Sequence, residues 1–385
     1  MINQQFDSQS DSRHRYQYVD FMRGVAVLGV IGVHSMHAIS DISIITKSIF
    51  NSGQLGVQLF FLISAFTLCL SVRERENEVI KGFYLRRFFR IAPLYYFGIV
   101  LYFLWRIAKE YYKTNELKIP LGYNLTGVLE NLLFLHGFDP DNYNFIVPGG
   151  WSIATEVTFY LVFPYLYLIQ YKLKFKQFLL LSVQIIAISF LIQLLFIEIA
   201  QPHFIKIGLM HEVVLNDEFG FMYCSLLNQI SVFLIGMLTY RSFEFAQINK
   251  FTLAVAFVLF AISCYLLNTT LVKTGYNGFV YPILAAIAFG VFTIKLSRMP
   301  DITYRPFKLL ANFGKASYSM YLLHFLLLDV LFFAFTNSLF ISIKLPELRL
   351  AILFFATTAI TYVAAKLSFS KLETPCINYA KKYIK

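Results

Sequence analysis

The apolar run YVDFMRGVAVLGVIGVH carries three ionisable side chains, Asp20, Arg23 and His34. Arg23 and His34 are eleven residues apart, so on a helix they lie about 20° apart around the axis and about 16 Å apart along it. They share one face at different depths. An ionisable group inside an apolar helix is costly and by default marks a functional site. The spacing also fits a quieter arrangement, with Arg23 paired to Asp20 and His34 bonded to a backbone carbonyl. In a second run, GGWSIATEVTFYLVFP, Ser152 and Glu156 are one turn apart on one face, and Glu156 falls about 6 Å below the helix start. Taken from opposite directions on antiparallel helices, Glu156 and His34 reach one depth, where a carboxylate can orient an imidazole or raise its basicity for proton transfer. Ser152 also suits a helix N-cap, and Trp151 an interfacial anchor.

Two further runs carry polar groups. FYLRRFFRIAPLYY gathers Arg86, Arg87 and Arg90 at the start of an apolar stretch. Three guanidiniums beside the positive end of a helix suit a phosphate-rich ligand, and they suit ordinary charge anchoring at a membrane surface equally well. NFGKASYSMYLLHFLLLD sets Ser317, Tyr318 and Ser319 near one surface, His324 about midway and Asp329 deeper. Two ionisable groups in one apolar run favour a polar cavity over a purely structural bundle.

The elements that hold these groups are legible in the composition. Of 385 residues 58% are apolar and 14% charged, against about 45–50% and about 25% in a soluble domain. Disorder, a collagen-like fibre and a disulfide scaffold are excluded. Ten apolar stretches of spanning length occur, at 19–38, 54–72, 89–108, 151–170, 177–197, 221–240, 252–268, 278–295, 315–335 and 349–367, which predicts an all-α polytopic membrane protein. The expected organisation is a polar, disordered cytoplasmic tail over 1–18, a membrane domain over 19–368 and a basic cytoplasmic tail over 369–385, with no removable signal peptide, no internal repeat and no appended soluble domain. The long connection 109–150, with Glu110, Glu116, Glu130, Asp139 and Asp141, includes an apolar piece, 128–135, too short to span and suited to a re-entrant or surface helix. A connection of this length is more often functional than idle, and contact with an acceptor substrate is one use for it.

Lysine and arginine favour cytoplasmic loops. With the N-terminus inside, 23 of the 33 fall on the inner side, nine outside, and Arg23 within the first helix. The C-terminus then returns to the cytoplasm. The net charge of +11 is accounted for by topology, without nucleic-acid binding. Cys69, Cys224, Cys264 and Cys376 are dispersed and read as inert thiols, giving no metal spacing.

Six stretches, in order, resemble the membrane-bound acyltransferase 3 family of O-acyltransferases. They are D-x-x-R-G at Asp20 to Gly24 with its histidine eleven residues after the arginine, GQLGVQLFFLISAF at 53–66, R-x-x-R at Arg87 to Arg90, W-S-x-x-x-E at Trp151 to Glu156, S-Y-x-x-Y-x-x-H within 317–324, and Glu373-Thr374-Pro375. Gln58, Ala65 and Val157 depart from the pattern, where an acidic residue, a glycine and a second acidic residue are usual. The resemblance implies an acyl-CoA donor, most simply acetyl-CoA, bound from the cytoplasm without a metal, and a carbohydrate acceptor such as a surface polysaccharide or lipid-linked sugar. It implies His34 as general base or transient acyl carrier, with Arg23, Glu156 and Ser152 as the other catalytic residues. Donor contacts would fall to Arg86, Arg87, Arg90, Ser317, Tyr318 and His324, and the setting would be a bacterial plasma membrane. A proton-coupled transporter or flippase is the rival reading, as is an exporter handing acetyl groups to a separate transferase. Inverted repeats and broken helices, the marks of a transporter, are not found; Pro93 and Pro164 are expected near helix ends.

Overall fold

The computed structural model describes residues 17–73, 80–206, 220–269, 277–299, 304–336, 340 and 342–383; most of the N-terminal tail expected over 1–18 lies outside them. Ten helices are long and apolar enough to cross a membrane. We label their cores α1 (Gln17–His37), α2 (Gly56–Arg73), α3 (Ile80–Thr114), α4 (Gly150–Lys172), α5 (Phe175–Leu195), α6 (Leu226–Ser242), α7 (Lys250–Asn268), α8 (Asn277–Ser297), α9 (Ser317–Thr336) and α10 (Pro346–Ser368). No strand occurs among the described residues. In hydrocarbon every backbone polar group must be satisfied within its own segment, so uninterrupted apolar runs fold as helices and pack side by side. The all-α polytopic architecture expected from composition is the one observed.

Centre and periphery differ sharply in burial. The apolar window of α2 is 72% buried, those of α5 and α7 only 17%. Helices α1, α2 and α6 thus form the middle of the bundle, while α5 and α7 turn leucine, isoleucine and phenylalanine outward, as lipid-facing helices do. Close approach at the centre needs residues without side chains. A Cβ on Gly24 would lie 1.9 Å from the carbonyl oxygen of Leu310, and one on Gly314 would lie 1.7 Å from that of Asp20. The glycine of D-x-x-R-G is therefore a packing residue, seating α1 on the short helix Arg305–Lys315.

Three expectations change. Helix α3 begins at Ile80, nine residues earlier than expected, because IKGFYLRRF continues the helical run. Arg86, Arg87 and Arg90 are accordingly well inside the helix, where the field of its N-terminus has faded. Pro93 and Pro164 also lie inside α3 and α4 rather than near their ends. Residues 369–383, expected as a basic tail, extend α10 through a π-turn at Phe369–Glu373 and a helix at Thr374–Lys381. Glu373 is buried there and accepts a hydrogen bond from Ser319 on α9.

The connection before α4 folds over one end of the bundle. Its apolar piece forms a short helix, Leu125–Leu132, capped by Asn124, with Gly127 and Asn131 buried and Leu125, Leu129 and Leu133 exposed along one side. At eight residues it is too short to span, as expected.

Candidate functional site

Three cavities run in series along α9, and each sequence-predicted residue can be placed against them. The first, about 70 Å³, is lined by Arg23, Arg87, Arg90, Ser152, Glu156, Ser317 and Tyr318. The second, about 140 Å³, contains His34, Gln54, Asn144, Trp151, Tyr223 and Phe325. The third, about 360 Å³, again contains His34, with Tyr102, Trp105, Arg106, Asp329 and Phe332. Val57 and Tyr321 line both the first and the second. Ser317, Tyr321, Phe325 and Asp329 repeat every four residues on α9, so one helical face borders all three.

In the arginine cavity, Arg23 Nη2 donates to Thr67 Oγ1 at 3.1 Å. No hydrogen bond or ion pair joins it to Asp20 among the described residues, so the quieter pairing is not formed. Glu156 accepts from Ser64 Oγ and from Tyr160 OH, each at 2.5 Å. The guanidinium of Arg87 sits 5.7 Å from the Phe83 ring centroid and 5.6 Å from that of Tyr160, a cation–π arrangement that fixes its direction. Arg86 does not line this cavity.

The boundary between the first two cavities is a polar septum. Ser152 Oγ lies 2.8 Å from Tyr321 OH and 2.9 Å from the carbonyl oxygen of Gly149. Gly149, not Ser152, is the N-cap of α4, in a left-handed conformation (φ +76°) that suits glycine. Asn144 Oδ1 accepts from its backbone N–H at 2.8 Å.

At the histidine junction, the ring of His34 lies 5.4 Å from that of His324 and 4.2 Å from that of Phe325, centroid to centroid. His324 is fully buried, and its Nδ1 is 2.5 Å from the carbonyl oxygen of Tyr321. Since a carbonyl only accepts, Nδ1 carries the proton and Nε2 keeps the lone pair. Nε2 is buried and has no hydrogen-bond partner within the protein.

His34 and Glu156, expected at one depth, are apart. A Cβ on Gly56 would lie 2.4 Å from the carbonyl oxygen of Ala26, which fixes the crossing of α1 and α2. From there His34 is eight residues along α1 one way, and Ser64, the partner of Glu156, eight residues along α2 the other way. The separation is on the order of 20 Å. The expectation assumed that α4 begins at the rim of the bundle; instead Gly149 and Gly150 are buried beside the histidine cavity, and Glu156 is a further turn and a half inward. His324, grouped with the donor contacts from the sequence, lies beside His34 and away from the arginines. Ser64, Thr67, Tyr160, Trp105 and Asn144 carry no mark in the sequence reading, and Tyr321 enters it only as the second tyrosine of S-Y-x-x-Y-x-x-H; the polar pair Ser64 and Thr67, one turn apart in an apolar run, is the available signal.

A family model described as an acyltransferase domain matches residues 16–366. The acyltransferase MdmB of Streptomyces mycarofaciens is 27% identical over 169 residues, 40% of this chain and 40% of MdmB. The peptidoglycan O-acetyltransferase OatA of Listeria monocytogenes is 26% identical over 398 residues, covering 97% of this chain and 58% of OatA. The chain thus spans less than two thirds of either relative. No solved structure gives a significant match. With ten helices long and apolar enough to span a membrane and a family match over nearly its whole length, the chain belongs to the acyltransferase 3 family and is a multi-pass membrane protein.

Proposed function

We propose that the protein is an O-acyltransferase carrying an acyl group, acetyl in the simplest case, from acyl-CoA to a hydroxyl of a carbohydrate acceptor. One observation carries this reading: His34 borders two cavities, one adjoining the arginine cavity across the Ser152–Tyr321 septum and one farther along α9. A donor and an acceptor can thus meet at a single imidazole without sharing a site. Arg87 and Arg90, with Arg23, offer planar cationic forks suited to the coenzyme's phosphates. Ser317 and Tyr318 add hydroxyls on the same wall. The axial distance from Arg23 to His34 is of the size a pantetheine arm bridges, and its path crosses the Tyr321–Ser152 septum.

At the junction, the centroid distance between His34 and His324 has room for one N–H···N hydrogen bond. Donating one ring N–H to His324 Nε2 leaves the other nitrogen of His34 as the base. That nitrogen takes the proton of the acceptor hydroxyl as the oxygen attacks the thioester carbonyl carbon. The C–S bond then breaks, and the departing thiolate receives the proton from His34. His324 orients the base, as the third member of a catalytic triad does. Glu156 holds Ser64 and Tyr160 and sets the charge balance around the arginines; Ser152 acts at the septum. The excess of lysine and arginine at the Arg23 end supports a cytoplasmic position for that end, and a bacterial plasma membrane is the setting that the family resemblance implies.

An acceptor-sized cavity on the same chain favours completed transfer over export of acetyl groups to a partner enzyme. The test is mass spectrometry of the host's surface glycans after deletion of the gene and its restoration as wild type or His34→Ala. Loss of one acyl mass, restored only by wild type, is the expected result. Full restoration by His34→Ala would remove the histidine from the mechanism.

A further inference from the structure

The third cavity is the largest of the three and lies on the side of His34 away from the arginines, yet nothing above assigns its polar groups. Its wall combines an indole, a guanidinium and a carboxylate. Asp329, on α9, receives Lys109 Nζ at 2.6 and 2.7 Å and Trp105 Nε1 at 2.7 Å, all from the last turns of α3. The Trp105 indole is thereby fixed from its N–H edge, and Phe333 packs edge-on at 6.1 Å. Arg106 lines the same cavity, its guanidinium 6.0 Å from the Tyr123 ring centroid.

These groups have one chemistry in common. A rigid indole offers a flat apolar surface of low conformational entropy. A carboxylate has about four acceptor positions, of which the three contacts above use three, leaving one for a hydroxyl. An arginine fork donates to ring or hydroxyl oxygens. A hydrocarbon ligand would leave the guanidinium unmatched, and a phosphate would use neither the indole face nor the acceptor position left on Asp329, whose charge is already paired with Lys109. A polyhydroxylated ring with one apolar face satisfies all three groups and presents a hydroxyl to His34 on the same wall.

Resting on the acyltransferase reading above, we propose that the cavity of Trp105, Arg106 and Asp329 is the acceptor site and that it binds a pyranose ring stacked on Trp105. Asp329 accepts from one ring hydroxyl, Arg106 donates to another, and the hydroxyl nearest His34 is the one acylated.

The experiment compares Trp105→Ala, Trp105→Phe and Asp329→Asn in the full chain. Each is expressed in the deletion host for glycan mass spectrometry and purified in nanodiscs for titration with coenzyme A. Trp105→Ala and Asp329→Asn are expected to lower glycan acylation about tenfold or more. Coenzyme A affinity and melting temperature should stay within about twofold and a few degrees of wild type, and Trp105→Phe, which keeps an aromatic face, should retain most acylation. Wild-type acylation in both disruptive variants overturns the site. So does a parallel loss of coenzyme A binding, which would place Trp105 in donor binding or folding. A wild type that consumes acetyl-CoA in nanodiscs but adds no mass to any glycan would instead refute the carbohydrate reading on which the site rests.

Discussion

His324 gives the clearest residue-level handle on the chemistry. Its Nδ1 proton is committed to the Tyr321 carbonyl, so only Nε2 faces further use, and the nearest histidine ring is that of His34. An orienting group of this kind contributes to the rate and little to substrate affinity. His324→Ala is therefore expected to lower kcat by about 10²-fold with the acyl-CoA KM within about twofold; a raised KM at unchanged kcat would return His324 to the donor contacts. Individual residues were unequally legible in the sequence. Arg23 and His34 stood out because charge is rare in an apolar run and their spacing fixes a shared face. Glu156 stands out as a carboxylate in an apolar run, and one partner, Tyr160, is a turn further along the same helix and readable from that spacing; the other, Ser64, is set by how α2 crosses α4, which no spacing within one helix encodes.

At the scale of elements, the loop before α4 does more than connect. It carries Asn144, Pro148 and Gly149 into the wall of the histidine cavity and holds the start of α4 below the rim. Its own anchor is His136, fully buried, with Nε2 3.1 Å from both the Gly150 carbonyl oxygen and the Tyr95 hydroxyl, which donates to Asn131 Oδ1 at 2.7 Å. Burial holds the His136 imidazole below its ordinary pKa. Below about pH 6.5 the unfolded chain takes up a proton that the folded loop resists, so stability falls as pH drops through that value and levels off only below the depressed folded value. The melting temperature should decline by a few degrees between about pH 7.5 and 5.5, and His136→Asn should flatten that decline. A pH dependence unchanged by the substitution would show that other groups set it. The loop's length and short apolar piece were visible in the sequence; its insertion beside His34 was not, because it depends on a left-handed turn at Gly149 and on bonds to residues far along the chain.

For the whole molecule, composition and apolar run length specified ten helices, and the helices are there. Their count follows from the thickness of the bilayer, which the sequence must match directly. Which of them meet at the centre follows from where glycines allow backbones to touch, and that is decided in three dimensions. Orientation remains a matter of charge asymmetry. In a variant with its four cysteines replaced, Lys47→Cys and Lys344→Cys should react with an impermeant maleimide on intact cells, whereas Lys172→Cys and Lys381→Cys should react only after permeabilisation. The reverse pattern would invert donor and acceptor sides.

The septum at Tyr321 has a further consequence. A protein with polar cavities reaching toward both faces of a membrane is a latent leak, and a chain of histidines and carboxylates would conduct protons if water joined it end to end. On the reading proposed above, the Ser152–Tyr321–Gly149 contact stands where such a water file would have to run between the arginines and His34, and would spare the gradient between turnovers. Passage of the donor's arm would then fill the breach it opens, the substrate itself serving as the plug.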